Sequence, residues 1–222
     1  MLILGLDASL ARCSAAVAGD GIVHAETHEE ADRGAAATLP CLARDVLRAA
    51  GVRAAALAGV AVTVGPGSFT GLRTALALAH GIALAAGRPV LGVLVAEALA
   101  EAVPGQLGRT LWVAIDSRRG RVFLHRHAAA APDSVTLEAL PHPPGPVAVA
   151  GDAAIEVAAR LAARGDDVML TDVRLPLARH VAAVGTRRLA GRLAPLPAQP
   201  LYIDPPEARP PAGGLRPPPD RG

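Results

Sequence analysis

The densest cluster of residues able to do chemistry is Gly65-Pro66-Gly67-Ser68-Phe69-Thr70-Gly71-Leu72-Arg73. Glycines let a backbone turn sharply and approach a ligand or another segment closely. Ser68 and Thr70 carry hydroxyls able to satisfy free amides at a helix start. Such a loop can cradle phosphate, so Gly65, Gly67, Ser68, Thr70 and Gly71 are candidate nucleotide-binding residues. A tight structural turn is the other reading. The loop is not a Walker A sequence, which needs a Lys, and it is not a GxGxxG fingerprint. Asp7 and Ser9, at the end of the first apolar run, complete the candidate set.

Other clusters are weaker. His24 and His28 have the spacing of a metal site on a helix. Their segment reads as a strand, where residues four apart lie roughly 13 Å from each other, too far for two ligands on one ion. His125 and His127 lack a third ligand. We therefore expect no metal site. Arg118, Arg119 and Arg121 follow Asp116-Ser117 and could touch RNA phosphates; a solvated hairpin tip is the plainer reading. No GxSxG elbow or nucleophile triad stands out, so no catalytic residue is expected.

The elements that must position these residues follow from periodicity. Leu2–Leu6 suits a buried strand. Cys13–Ala18 and Ile22–Glu29 are extended stretches joined by Gly19-Asp20-Gly21, a hairpin turn. Leu39, Leu42, Val46, Leu47 and Ala50 recur at helical spacing, with Pro40 in the first turn and Gly51 as the stop. Val60–Val64 is a strand, Gly71–Ala86 a helix ended by Gly87, Val90–Val95 a strand and Ala96–Val103 a helix. The order β-β-β-α-β-α-β-α implies a mixed sheet with helical cover. It is the order of the ribonuclease-H-like module, which the actin/Hsp70 (ASKHA) superfamily carries in duplicate.

The second half reads more faintly. Leu111–Asp116 and Arg121–Arg126 form a hairpin around Ser117–Gly120. Val147–Ala150 is a short strand, Ala153–Arg164 a helix and Leu177–Leu193 a last helix. We expect domains at 1–106 and 107–204, the second reduced, and a disordered Pro- and Gly-rich tail at 205–222. In phosphotransferases of the duplicated fold an acid at the position of Asp7 coordinates the metal–nucleotide. Here the turn continues Ala8-Ser9-Leu10-Ala11-Arg12 without glycine, so Asp7 also reads as a cap on its own turn.

The 222 residues are 51% hydrophobic and 2% aromatic, with 50 alanines. This composition excludes a disulfide scaffold, a collagen and a mostly disordered chain. Two Phe, one Trp and one Tyr argue against single-strand binding by base stacking. The net charge of +2, with all 22 basic residues Arg, demands no anionic partner. No apolar run reaches the ~20 residues of a membrane span, and no signal peptide is evident. The expectation is a cytoplasmic protein with no membrane contact. The helix Gly71–Ala86 is rich in Ala and interrupted only by Arg73 and His80. A greasy outer face on it would mark a protein partner; burial under the neighbouring helix is the alternative.

These residues together resemble the bacterial TsaB (YeaZ) family. The likeness rests on Ile3–Ser9, Cys13–Val17 and above all Gly65–Arg73. It continues through Asp116–Phe123, Gly151–Ala154 and Pro200–Ile203. The resemblance implies a role in forming N6-threonylcarbamoyladenosine (t6A37) in tRNAs that read ANN codons. It implies a non-catalytic paralogue of the transferase TsaD, paired with it through the two N-terminal helices, with the ATPase TsaE docking on the pair. The same helices would make a homodimer when the chain is alone, and tRNA would be met through the complex. ATP or ADP and metal would sit in the partner subunits, with no cofactor on this chain. The expected partner interface is Leu39, Leu42, Val46, Leu72, Arg73, Leu76, Ala79 and His80. One departure is Ala35-Ala36-Ala37-Thr38-Leu39-Pro40, where relatives often carry a His ahead of Leu-Leu-Pro. The competing reading is a nucleotide-binding ATPase or phosphotransferase of the actin/Hsp70 superfamily.

Overall fold

A computed structural model of the chain describes residues 1–30, 35–103, 105, 108–126 and 131–203. The expected tail at 205–222 and His127 lie outside the described residues, as do Pro104, Gln106 and Leu107 beside the expected domain boundary.

The first half begins with strands β1 (Leu2–Asp7), β2 (Arg12–Gly19) and β3 (Ile22–Glu30). Helix α1 (Ala35–Ala49), a 3-10 turn (Ala54–Ala56), β4 (Gly59–Gly65), α2 (Phe69–Ala86), β5 (Val90–Leu94) and α3 (Val95–Ala102) follow. The sheet order is β3-β2-β1-β4-β5. β1 and β2, and β2 and β3, pair antiparallel, whereas β1, β4 and β5 run parallel.

The second half repeats the plan with β6 (Thr110–Asp116), β7 (Val122–Arg126), β8 (Asp133–Val135), β9 (Val147–Ala150), α4 (Ala154–Ala163), β10 (Val168–Leu170) and α5 (Ala178–Leu189). Its order is β10-β9-β6-β7-β8. β6, β7 and β8 are antiparallel, and β6, β9 and β10 parallel. Between β8 and β9, where the first half has α1, residues 136–146 form no helix. The result is the duplicated ribonuclease-H-like fold with a reduced second half.

Alternation along the strands assigns each face. Leu4, Leu6, Val60 and Val62 turn to α1 and α2. Ile3 and Ala61 turn the other way, to Val181, Ala182 and Val184 of α5. In the second sheet Trp112, Ala114, Val147 and Val149 meet α4. Leu111, Val113, Ile115 and Ala148 meet Val95, Ala96 and Leu99 of α3. The last helix of each half thus covers the sheet of the other. Two glycines bring α5 close to the first sheet: a Cβ on Gly5 would lie 2.2 Å from the Ala178 carbonyl oxygen, and one on Gly185 would lie 2.5 Å from Ala61 Cβ.

Several boundaries differ from the expected ones. Pro40 lies inside α1, which starts at Ala35, rather than in its first turn; the ring is on the exposed side. The three-residue strands β8 and β10 escape periodicity. Helix α5 stops at Leu189, short of Leu193, and Gly191 beyond it has a positive φ of 70°. Among the described residues one helix, Phe69–Ala86, is long and apolar enough to cross a membrane by length and composition. In the structure Leu72, Ala75, Leu76, Ala79 and Ala83 of that helix are buried in the core.

Candidate functional site

Asp7 closes the central strand β1 and is fully buried. Its Oδ1 accepts from the Ser9 amide at 3.2 Å, the Ser9 hydroxyl at 2.6 Å and the Thr63 hydroxyl at 2.7 Å. Its Oδ2 has no hydrogen-bond partner among the described residues. Burial outweighs the three donors and pushes the carboxyl up to about 6. The nearby Cys13 thiol is pushed up to about 12, by burial first and the Asp7 charge second. Asp7 therefore organises its own turn and ties it to β4.

The Gly65–Gly71 loop presses onto that turn. The Ser68 amide donates to the Ser9 carbonyl at 2.7 Å, and the Ser68 hydroxyl caps α2 by accepting from the Gly71 amide at 3.2 Å. A Cβ on Gly67 would lie 2.3 Å from the Ser9 carbonyl oxygen, and one on Gly71 1.9 Å from that of Ala8. At these two positions glycine permits backbone to meet backbone. Thr70 is exposed on the first turn of α2. The structure thus brings both candidate nucleotide-binding segments into one packed unit.

Beside this unit lies a cleft of about 780 Å³ between the two halves. Ser9, Gly67, Ser68 and Phe69 form one wall, and Asp116, Ser117, Arg118, Arg119 and Phe123 the other. Arg118 sits at φ 60° in the hairpin tip. Its guanidinium is 3.5 Å from Asp116 and 3.6 Å from Asp152. Burial, the largest effect, pushes the Asp152 carboxyl above its usual range. Arg121 donates to the Ser134 hydroxyl at 2.7 Å and so holds β8 against β7. Of the three candidate RNA-contacting arginines, Arg118 and Arg119 line the cleft and Arg121 braces the sheet.

Residues 194–203 form a strap that sequence reasoning missed. The Gly92 amide donates to the Leu196 carbonyl at 3.2 Å, and the Leu201 amide to Val64 at 2.8 Å. Tyr202 accepts from Arg73 Nε at 3.0 Å. The Arg73 guanidinium lies 3.8 Å over the Phe69 ring. His80 Nε2 is 3.0 Å from the Ala198 carbonyl oxygen. Pro195, Pro197 and Pro200 are the available signal, since each biases its predecessor to extended backbone.

The expected partner residues separate into two groups. Leu39, Leu42, Val46, Leu72, Leu76 and Ala79 are buried in the chain's own core, none above 9% exposed. The sheet takes the i, i+3, i+4 stripe of each helix, so these six face inward and the expectation of a surface there is corrected. Arg73 and His80 are exposed. Ala77, Gly81 and Leu84 are among the apolar residues α2 turns outward, the last 85% exposed. A groove of about 660 Å³ runs along Ala43, Leu47, Val52, Leu78 and Ile82 between α1 and α2. Among the described residues no three His, Cys, Asp or Glu side chains are grouped to hold a metal.

Two ribonuclease-H-like halves facing across a cleft give the chain an actin/Hsp70-like fold. Residues 21–164 match the family described as TsaD: tRNA N6-adenosine threonylcarbamoyltransferase, and the chain belongs to that family. Within it the likeness is to TsaB (YeaZ) proteins. The chain is 34% identical over 124 residues to the "tRNA threonylcarbamoyladenosine biosynthesis protein TsaB" of Escherichia coli (strain K12), covering 55% of this chain and 53% of that protein. It is 38% identical over 81 residues to the "tRNA N6-adenosine threonylcarbamoyltransferase" of Paracoccus denitrificans (strain Pd 1222), covering 35% of this chain and 23% of that one. The chain therefore aligns with about half of the first curated relative and a quarter of the second. The solved structure of YeaZ from Pseudomonas aeruginosa superposes with a TM-score of 0.76 at 27% identity, covering 90% of this chain and 99% of that one.

Proposed function

We propose that this chain serves tRNA threonylcarbamoyladenosine biosynthesis as a non-catalytic subunit. It pairs with a TsaD-like transferase through the exposed faces of α1 and α2 and stabilises the transferase's active form. Stabilising one state of a partner shifts its population without new chemistry. A TsaE-like ATPase docks on the pair, and tRNA is met through the complex. ATP or ADP and metal belong to the partner subunits.

One observation carries this reading: the Asp7 turn and the glycine loop are packed against each other. Asp7 is fully buried, and Gly67 and Gly71 abut Ser9 and Ala8. The outward Ala77, Gly81 and Leu84 supply apolar surface of the kind a protein partner covers. The test is co-purification with the transferase, followed by a modification assay with and without this chain. We expect a stable pair and modification that depends on it. Full modification by the transferase and ATPase without this chain would refute the proposal.

The second reading, a nucleotide-hydrolysing member of the same fold class, is favoured by the cleft itself and by Ser9 on its wall. Calorimetry of the isolated chain with ATP and Mg²⁺ decides it: heat and turnover support it, and neither removes it.

A further inference from the structure

The two sheets have four edge strands, β3 and β5 in the first and β8 and β10 in the second. β8 and β10 have three residues each. β5 is met by the strap, whose Leu196 carbonyl accepts from the Gly92 amide. β3 is different. It runs for nine residues, and among the described residues no backbone hydrogen bond reaches its outer side. A long open row of amides and carbonyls is a template for another strand. Proteins blunt such edges with prolines, bulges or charged side chains. β3 has no proline. Its bulge lies opposite Val17 and Ala18, and residues 25–30 beyond it keep an unbroken register with β2.

The charges on that stretch complement one another rather than repel. Its acids are Glu26, Glu29 and Glu30. Glu26 accepts from Arg179 at 2.6 Å and Glu30 from Arg12 at 2.6 Å, so two of the three are already offset. His24 and His28 are exposed. A second copy meeting this edge antiparallel, about a two-fold axis normal to the sheet, sets one residue opposite its own counterpart. Centring on Glu26 would bring two carboxylates face to face, which is destabilising. Centring on Ala25 would place the bulge inside the joint. Centring on Thr27 sets threonine opposite threonine, a favourable pair. It also sets Glu26 of each copy opposite His28 of the other, and His24 opposite Glu30 at either end. An imidazole answers a carboxylate as a cation or through its ring N–H.

We propose that β3 pairs with β3 of a second copy, centred on Thr27, and joins two five-stranded sheets into one of ten strands. The axis keeps α1 of both copies on one face of the joined sheet. The joint uses the sheet edge rather than the outward residues of α2.

The test uses the full chain carrying Cys41→Ser, Cys13 being buried, and Leu84→Arg, which is directed against pairing through α2. Sedimentation equilibrium should show a reversible dimer. His28→Glu should weaken it about tenfold, because two symmetry-related contacts change at once. His28→Arg should tighten it by a similar factor, although it raises the net positive charge of the chain. Thr27→Cys should oxidise to a covalent dimer. Ala25→Cys or Glu29→Cys alone should not, whereas a mixture of the two should cross-link, because this register sets 25 opposite 29. His28 is exposed, so its two variants give the answer where a cysteine disturbs the strand. A monomer at every concentration overturns the proposal. So do equal responses to His28→Glu and His28→Arg, and cross-linking at residue 25 or 29 alone. Slow amide exchange along β3 that appears only beside the transferase would give the edge to that partner, which also overturns it.

Discussion

Arg188 is buried to 7% and joins four elements. Its Nη2 donates to Glu97 Oε1 at 2.7 Å, its Nη1 to the Gly92 carbonyl at 2.7 Å and its Nε to the Ala194 carbonyl at 2.8 Å. Glu97 Oε2 in turn accepts from the Leu94 amide at 2.8 Å and caps α3. One guanidinium therefore links α5, α3, β5 and the start of the strap. Breaking a buried pair by removing one partner costs about 3–5 kcal/mol. Glu97 keeps 25% exposure, and screening brings that part to about 2 kcal/mol. Two carbonyls losing their donors add about 1 kcal/mol each. Arg188→Ala should thus cost about 4 kcal/mol, a fall in Tm of roughly 10 °C for a chain of this size. The neighbouring Arg187 pairs with Glu101 at 43% and 30% exposure, so Arg187→Ala should cost under about 1 kcal/mol. Urea unfolding followed by circular dichroism measures both. Equal effects at 187 and 188, or a cost at 188 below about 1 kcal/mol, would refute the reasoning.

Other outcomes follow from single contacts. Gly71→Ala should destabilise by more than about 2 kcal/mol despite the helix preference for Ala, because its Cβ would sit 1.9 Å from the Ala8 carbonyl oxygen. Gly81→Ala meets open space and should stabilise by about 0.5–1 kcal/mol; denaturant midpoints compare the two. Asp7 titrates near 6 when folded against 3.8 as a free side chain. Its buried charge therefore lowers stability above pH 6, and the penalty fades as pH falls toward 4. The stability difference between the parent and Asp7→Asn should change by about 3 kcal/mol over that window, and parallel pH curves would contradict it. Leu76→Arg should unfold the chain, since Leu76 is 5% exposed. Leu84→Arg should leave the melting curve in place and abolish co-purification with the transferase.

The first half was legible because its signals are local. Short apolar and extended runs gave β1 to β3 within a residue or two, the helix expected from Gly71 begins two residues earlier at Phe69 behind the Ser68 cap, and the Ser117–Gly120 tip gave the β6–β7 hairpin. Element order gave the ribonuclease-H-like module of the first half, and its duplication was expected from the superfamily that carries this module twice. What escaped is non-local. β8 and β10 have three residues each and no period to read; they exist because β7 and β9 offer open edges. The docking of α5 on the first sheet is written in Gly5 and Gly185, whose tight neighbours are far away in sequence. Helical spacing identified the apolar stripes of α1 and α2, but not which stripe the sheet would cover. Leu39 and Leu76 therefore read as interface and proved to be core. Asp7 and the Gly65–Gly71 loop were found as separate motifs, and only the fold shows that they abut.

The central claim is that this chain supplies surface rather than chemistry. Reconstituted threonylcarbamoylation of tRNA, run with Asp7→Asn and Leu84→Arg side by side, tests it most directly. We predict near-parental modification with Asp7→Asn and loss with Leu84→Arg, tracking loss of the complex. Modification abolished by Asp7→Asn while the complex stays intact would contradict the account.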